Sequence, residues 1–434
     1  DVAQLATGVA ATARTGPTLL GADGEQRYVF LFTNYAEQRG MTGLMGNWSE
    51  VTIDEGRLQV TASGRNAQLG SAMEERGLPT LTASDDFFLR YGPFGAGARD
   101  QPVVAKFWSN VTMPPDMPTV GSITAQMYEA ATGRAVDGVF VIDPSGIGAL
   151  LEVTGPIRID GYDEQLTSGN IVEFLTLGQY EFVENEREDL LAQVTERTVG
   201  AVLTGELPAP QEIAAKLGPA AVNGHISVWI DDPVGQELIE TIGMDNAMPR
   251  LDDENRSFAD GLAVVTQNSN GNKIDSFLRR EIDYRATHGA DGSLDATVSV
   301  TLHNDAPSSG YADYVIGNIV GLPTGTNSMI VEIFTPHVAS DLSVDGVPVA
   351  HEFSSEFGWN VYRTAVAVPP GGSVTVSASL QGAAPFPYGF VYRPQVLASP
   401  DAVSVDIGGS SSVVWTGTVE RRVVVSASGV DAWR

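Results

Sequence analysis

Asn34, Glu37 and Arg39 stand within six residues of one another, directly after the apolar run Arg27–Phe32 and directly before Gly40, Gly43 and Gly46. An amide, a carboxylate and a guanidinium at that spacing can hold a phosphate or a sugar, with glycine amides as further donors. In open α/β sheets, ligands collect at the carboxyl ends of strands, and that is where this run falls. The same three side chains could instead form a buried polar network that ties the loop to the sheet.

Three other stretches carry residues of the same kind. The run Glu184–Asp189, which contains Arg187, has Arg197 farther along; it reads first as a solvated helix start, favoured by the helix dipole. Asn268–Asp275 also follows a strand and holds Lys273, one of three lysines beside Lys106 and Lys216. A structural Asn/Gly turn accounts for it at least as well. Arg65 follows the second strand of a hairpin and could reach the face that Arg39 occupies, although a lone arginine among so many acids more often pairs with one of them.

Several chemistries lack their residues. The five histidines (His225, His288, His303, His337 and His351) show no metal spacing such as H-E-x-x-H. There is no G-x-S-x-G elbow and no phosphate-binding P-loop. Asp143 and the pair Asp231–Asp232 lie at strand ends, where paired carboxylates could serve a glycosidase or hold Mg²⁺; Asp-Pro at a helix start is, however, an ordinary cap.

The elements that must position these residues change character along the chain. Arg27–Phe32, Gly138–Asp143 and His225–Ile230 read as buried strands. Trp48–Ile53 and Arg57–Ala62 read as a hairpin turning at Asp54-Glu55-Gly56. Helices are expected over Thr119–Thr132, from Asp143-Pro144 through Leu151, over Glu188–Leu203, and from Asp232-Pro233 to Ile242. Residues 64–118 read as irregular. Strand alternating with helix is the pattern of an α/β layer fold. After about residue 280 the alternation becomes period two, as in Thr297–Leu302 and Val361–Val368, with Pro and Gly between the runs. That pattern predicts an antiparallel β-sandwich. The expected organisation is an α/β domain over 1–285 and a β-sandwich over 286–434.

Composition bounds the function. The chain has 434 residues, with 25 Lys+Arg against 54 Asp+Glu and a formal net charge of −29. Such a surface repels nucleic acid, so a phosphate-backbone binder is not expected. The absence of cysteine excludes disulfides, thiolate metal sites and a Cys nucleophile. No run of roughly 20 apolar residues spans a membrane. The abrupt start at Asp1 is read as an extracellular, envelope-facing ectodomain whose membrane anchor lies upstream.

The order of the blocks resembles a bacterial extracellular family, domain-of-unknown-function family four thousand and twelve. The resemblance rests on RYVFLFTNYAEQRGMTGLMGNWSEVTIDEGRLQV, then WSNVTMPPDMPTVGSITAQMYEAATG, VDGVFVIDPSGIGALLEVTGPI, HISVWIDDPVGQELIETIGM and VVTQNSNGNKIDSFLRREIDY. The front part is also distantly similar to the LytR–CpsA–Psr phosphotransferases, which move polyprenyl-pyrophosphate-linked glycopolymers onto peptidoglycan. In those enzymes arginines clamp the pyrophosphate and an Asp helps place Mg²⁺. By position Arg39, Arg65 and Arg187 are the counterparts here. Asn34 and Glu37 stand where those enzymes have Asp and Arg, and Asn66 follows Arg65 where an acid is expected.

The resemblance therefore implies a cell-envelope glycopolymer phosphotransferase. Glu37 and Arg39 would be its catalytic residues, and Asn34, Arg65, Arg187 and Lys273 would bind the substrate. Mg²⁺ is the expected cation and a cell-wall glycan or lipid-linked glycopolymer the expected partner. Two other readings stand beside it: a non-catalytic module binding surface glycans or proteins, and a glycosidase acting on envelope polysaccharide.

Overall fold

A computed structural model describes residues 14–182, 184–204, 208–251, 258–426 and 429–432. The chain forms two compact units. The first comprises the described residues up to Asn34 together with Met41–Ala247; the second comprises Tyr35–Gly40 and the described residues from Met248 onward.

The first unit is built on a five-stranded sheet of β1 (Gln26–Gln38), β2 (Gly43–Asp54), β3 (Arg57–Arg65), β4 (Gly138–Ile142) and β5 (Ile226–Ile230), in the order β3-β2-β1-β4-β5. β1 and β4 run parallel, with Tyr28 opposite Gly138 and Phe32 opposite Ile142, while β5 returns antiparallel to β4. Alternate side chains of β1 enter different cores. Val29 and Leu31 join one, Tyr28 and Phe32 the other, as a pleated strand requires. Helices cover both faces: α1 (Asn66–Arg76), α2 (Asp85–Tyr91) and α3 (Met117–Thr132) contribute Leu69, Phe87, Val120 and Met127 to the first core. α4 (Pro144–Thr154), α5 (Ile171–Thr176), α6 (Glu184–Thr204), α7 (Pro210–Val222) and α8 (Pro233–Thr241) lie beyond them in the chain, and Ile147, Leu151, Phe174 and Val194 belong to the second core.

Local chemistry fixes the helix starts. Asp116, Asp143 and Asp232 each accept the backbone N–H three residues on, from Thr119, Gly146 and Gly235. A proline follows within the first two helical positions each time, where its missing N–H costs nothing. Each such cap contributes about 1 kcal/mol. The β2–β3 hairpin turns on Glu55 and Gly56, both at positive φ (49° and 74°), which suits the twist of a two-residue connection.

Two expectations about the first unit are corrected. β1 continues to Gln38, so Asn34 and Glu37 sit on a strand rather than in a loop after it; no Gly or Pro interrupts the chain before Gly40. Residues 64–118 hold α1 and α2, whose short lengths and scattered polar residues hide a helical period. α7, over a stretch that the sequence reading left unassigned, carries Pro219 in its interior.

The second unit holds β6 (Asp260–Asn268), β7 (Leu278–His288), β8 (Ser293–Asn304), β9 (Asn327–Thr335), β10 (Val338–Val344), β11 (Val347–Pro348) and β12 (Glu352–Glu356). It continues with β13 (Trp359–Val368), β14 (Ser373–Ala383), β15 (Gly389–Arg393), β16 (Asp401–Gly409), β17 (Val413–Val419), β18 (Val423–Ser426) and β19 (Gly429–Ala432). They form two seven-stranded sheets, β11-β10-β14-β8-β7-β16-β17 and β12-β13-β9-β6-β15-β18-β19. One core takes side chains from both, including Val298, Val300 and Val376 from the first sheet and Val264, Val331 and Phe390 from the second. Pairing is largely antiparallel, with parallel exceptions at β6–β15 and β7–β16. The architecture is thus α/β followed by a β-sandwich. Its change falls between Ala247 and Met248 rather than near 285, because β6 and β7 pair inside the sandwich sheets.

Candidate functional site

Tyr35–Gly40 is close in sequence to the first unit yet belongs to the second, and backbone geometry shows how it is held there. Gln38 N donates to Asp275 Oδ2 at 2.8 Å, Gly40 N to Gln267 Oε1 at 3.1 Å, and Gln395 Nε2 to the Arg39 carbonyl at 2.9 Å. The Gln38 amide oxygen accepts from the Thr266 hydroxyl. The Gln38 and Gly40 N–H groups and the Arg39 carbonyl therefore each find a side-chain partner, as burial demands.

This stitching brings together three of the residues singled out from sequence. Glu37 Oε2 accepts from Lys273 Nζ at 2.5 Å, and Glu37 Oε1 from Arg39 Nη2 at 3.2 Å. Arg39 Nη1 also donates to the Gln38 carbonyl at 2.8 Å, and Lys273 Nζ lies 5.4 Å from the centroid of the Tyr314 ring. The Glu37 and Lys273 side chains are each only 4% exposed. Burial pushes the Glu37 carboxyl up, but the Lys273 ammonium and the Arg39 guanidinium outweigh it and hold the group below the usual carboxylate range. Asp275, fully buried beside this cluster, goes the other way. Desolvation raises its carboxyl to about 6 despite hydrogen bonds from Gln38 N, Asn268 and Asn327, and the Glu37 charge adds to the rise.

As built, this is a closed ion-pair cluster. A proton acceptor needs a pKa near the working pH, and a cation ligand needs an oxygen not already paired with a cation. Glu37 meets neither condition. Mg²⁺ therefore does not fit at Glu37, and among the described residues no group of three or more His, Cys, Asp or Glu side chains is placed to hold a metal ion.

The remaining candidates make other contacts. Asn34 falls with the first unit, where its Nδ2 donates to the Leu175 carbonyl at 2.8 Å. Arg65 ends β3 on the surface; its backbone N donates to Gln68 Oε1 and its carbonyl accepts from Trp48 Nε1. Arg187 lies in α6, and its side chain is outside the described residues.

Sequence reasoning missed an apolar cavity in the first unit. A cavity of about 500 Å³ lies against one face of the sheet. Phe30, Phe32, Phe140 and Ile142 form its floor, with Leu150 of α4, Val199 of α6 and Leu217 of α7 among its walls. The lining is almost wholly apolar. Cavities of this size are in the range that takes a small molecule or a long chain, and an apolar one does not hold water well. The hint in the sequence was the stacked Phe30–Phe140 pair, two aromatic rings facing the same side of neighbouring strands.

A polar pair ties the exit of β4 to the entry of β5. Asp143 is fully buried; one carboxylate oxygen caps α4 through Gly146 N, and the other is 2.8 Å from His225 Nδ1. The register sets Ile142 opposite Ile226 on antiparallel strands, so the next residue on β4's exit and the residue before β5's entry come together. The two positions, 82 residues apart, could have been paired from sequence only by knowing that register.

An α/β unit with an apolar cavity on its sheet, followed by a β-sandwich unit, defines the class of protein. Residues 23–180 match the family described as Protein of unknown function (DUF4012), so the chain carries that family's sequence over this region. No curated protein matches. Among solved structures, a putative nutrient binding protein from Legionella pneumophila is 9% identical over 34% of this chain and 54% of its own, with a TM-score of 0.23. The match thus spans little more than half of that relative. The transcriptional regulator yvhJ from Bacillus subtilis is 12% identical over 50% and 76%, with a TM-score of 0.25. Protein gbs0355 from Streptococcus agalactiae is 11% identical over 51% and 74%, with a TM-score of 0.29. No helix among the described residues is long and apolar enough to cross a membrane.

Proposed function

We propose that the first unit holds the hydrocarbon chain of a lipid-linked glycan at the outer face of a cell envelope, in the manner of a glycopolymer phosphotransferase. The observation that carries this reading is the apolar cavity on the sheet face. A polyprenyl chain is the part of such a substrate that water rejects most strongly. Each methylene moved from water into the cavity contributes roughly 0.8 kcal/mol, so a cavity that takes ten of them supplies on the order of 8 kcal/mol before the costs of ordering. The strongly acidic composition suits a partner recognised by an apolar chain rather than by phosphate charge alone.

The test is direct. Gly218 faces the cavity from α7, and a Cβ there would meet nothing within 4 Å. Gly218→Trp should leave the fold intact and fill the space. Native mass spectrometry of the full chain with a polyprenyl phosphate in detergent should show a lipid adduct on the parent protein and its loss in the variant. An adduct that survives Gly218→Trp sinks the reading.

A second reading, binding of an envelope glycan without transfer, is favoured by one observation: Glu37 and Arg39 neutralise each other inside the Lys273 cluster. The glycosidase reading needs two carboxylates facing each other roughly 5–10 Å apart across a groove. Asp143 is taken up by its cap and by His225, and Asp232 caps α8.

A further inference from the structure

The outer face of one sandwich sheet is furrowed. A trough of about 670 Å³ runs over β7, β8, β16 and β17. A second, of about 600 Å³, continues it over β7, β8, β14 and β16, and Arg285 and Thr297 belong to both. Strand register sets the lining. Glu281 stands between Thr301 on β8 and Ala402 on β16, Asp283 between Ser299 and Ser404, and Arg285 between Thr297 and Asp406. Thr416 and Thr418 of β17 extend two of these rows. Alternate residues of a strand leave the sheet on one face, and the intervening Ile282, Val403 and Leu380 are buried in the sandwich core. From Glu281 to Thr287 the face runs about 20 Å along β7, enough for several sugar rings end to end.

Hydroxyls and carboxylates dominate this face. Ser299 and Ser377 are hydrogen-bonded across strands at 3.1 Å, and Thr301 and Thr375 at 3.0 Å. Each pair spends one of its two protons, so a donor and several lone pairs remain for a ligand. Four carboxylates, Glu281, Asp283, Asp295 and Asp406, share the troughs with one guanidinium, Arg285. Asp283 takes up that cation, accepting from Arg285 Nε at 2.8 Å and Nη2 at 2.9 Å. Asp295 accepts only from the neutral Gln381 amide, at 3.1 Å, and Asp406 accepts no hydrogen bond from a described side chain. His303 Nε2 lies 3.2 Å from Glu281 Oε1, and Arg279 on the same strand is held by Asp305. Asp295 and Asp406 therefore keep their negative charge, in a chain of net charge −29. Such a surface repels phosphate and carboxylate polymers and attracts cations. Among the described lining residues none is aromatic, and the large aliphatic ones point into the core. A protein partner would lack the buried apolar anchor on which such interfaces depend.

We propose that this face binds an oligosaccharide strand bearing protonated amino groups. Asp295 and Asp406 take the ammonium groups in charge-assisted hydrogen bonds. The sugar hydroxyls, each a donor and an acceptor, meet the Ser and Thr hydroxyls of the floor, which are the same. The charge selects the amino groups, and the hydroxyl floor selects a glycan over a basic peptide. The proposal concerns the second unit alone and does not depend on the reading of the cavity in the first.

Calorimetry on the full chain, at mildly acidic pH, tests this with three probes of equal length. They are an oligomer of glucosamine, its fully N-acetylated counterpart, which lacks the charge, and oligolysine, which lacks the sugar. The glucosamine oligomer should bind about tenfold more tightly than either of the others, the worth of two exposed ion pairs or of a few hydroxyl contacts. Asp295→Asn with Asp406→Asn should remove about that tenfold. Ser404→Ala with Thr416→Val should weaken the glucosamine oligomer by about fivefold and leave oligolysine unchanged. Equal binding of the N-acetylated oligomer overturns the proposal, because the carboxylates would then select nothing. Equal binding of oligolysine also overturns it, leaving only an acidic surface, and so does a glucosamine oligomer that fails to bind. Both aspartates are exposed, so their variants should fold. Should the double variant fail to do so, Asp406→Asn alone, with an expected loss of about threefold, takes its place.

Discussion

Glu37 and Lys273, 236 positions apart in sequence, form a buried ion pair in the second unit with Arg39 on the carboxylate's other oxygen. Removing one member of such a pair leaves an uncompensated charge in a poorly solvated place, which typically costs about 3–5 kcal/mol. Replacing both with apolar side chains of similar volume is often close to neutral. Glu37→Gln, which strips two cations of their carboxylate, should lower the unfolding free energy by about that amount; Lys273→Met should cost less because Arg39 still neutralises Glu37, and Glu37→Leu with Lys273→Met should recover only the part of the loss that does not depend on Arg39. Urea unfolding followed by circular dichroism measures all three. A Glu37→Gln variant as stable as the parent would mean that the cluster is not held as described.

The same cluster predicts two opposing pH dependences. Glu37 is held below its ordinary value in the folded protein. Its contribution is present above the unfolded carboxylate pKa and is lost as pH falls through the lower folded one. Asp275, raised to about 6, runs the other way: its contribution is complete below about pH 4, its unfolded value, and fades as pH rises through about 6. Asp275→Asn should therefore flatten the stability profile between about pH 4 and 6 relative to the parent, and Glu37→Gln should flatten it below about pH 4.5. Unfolding free energies from urea titrations across pH 3–8 would separate the two; an unchanged profile in Asp275→Asn contradicts the raised carboxyl.

Much of the fold was legible because its signals are local. The helix α3 announces itself by Pro118 near its start, Gly133 just past its end and apolar residues at helical spacing, and the observed Asp116 cap and left-handed Gly133 fit that reading. The candidate site was legible only in part. Asn34-x-x-Glu37-x-Arg39 drew attention for its residue types, yet its partners are set by β6 and the segment after it, more than two hundred residues later. Nothing local says that a strand opening an α/β sheet will surrender its last residues to a sandwich. The cavity was illegible for a different reason: its lining comes from all five strands of the sheet and several helices, and each contributes apolar residues that read as ordinary core.

A buried carboxylate in the sandwich is just as dependent on distant partners. Asp260 accepts from His337 Nε2 at 2.7 Å, Tyr284 Oη at 2.7 Å and Tyr388 Oη at 2.5 Å. Truncating one phenol removes a single hydrogen bond, whereas truncating Asp260 orphans three buried donors, each costing about 1–3 kcal/mol. Tyr284→Phe should cost about 1–2 kcal/mol and Asp260→Ala more than about 4, with Asp260→Ala falling far short of additive when combined with Tyr284→Phe. Double-mutant unfolding experiments supply the coupling term, and strict additivity would contradict a shared network.

The packing between α3 and β5 gives the last prediction. A Cβ built on Gly121 would lie 2.4 Å from Cβ and Cγ of Trp229, inside any permitted contact. Trp229 belongs to β5, so a displaced indole moves that strand as well as α3. Gly121→Ala should gain the helix propensity of alanine, about 1 kcal/mol, but lose more through overpacking, which typically costs about 1–3 kcal/mol. The net expected is destabilisation with a blue or red shift in tryptophan emission, reported by thermal unfolding and fluorescence. Gly121→Ala with Trp229→Leu should relieve the clash and return the alanine's benefit. If the single variant is more stable than the parent, the helix does not approach the indole as closely as the structure has it, and β5's position would need revision.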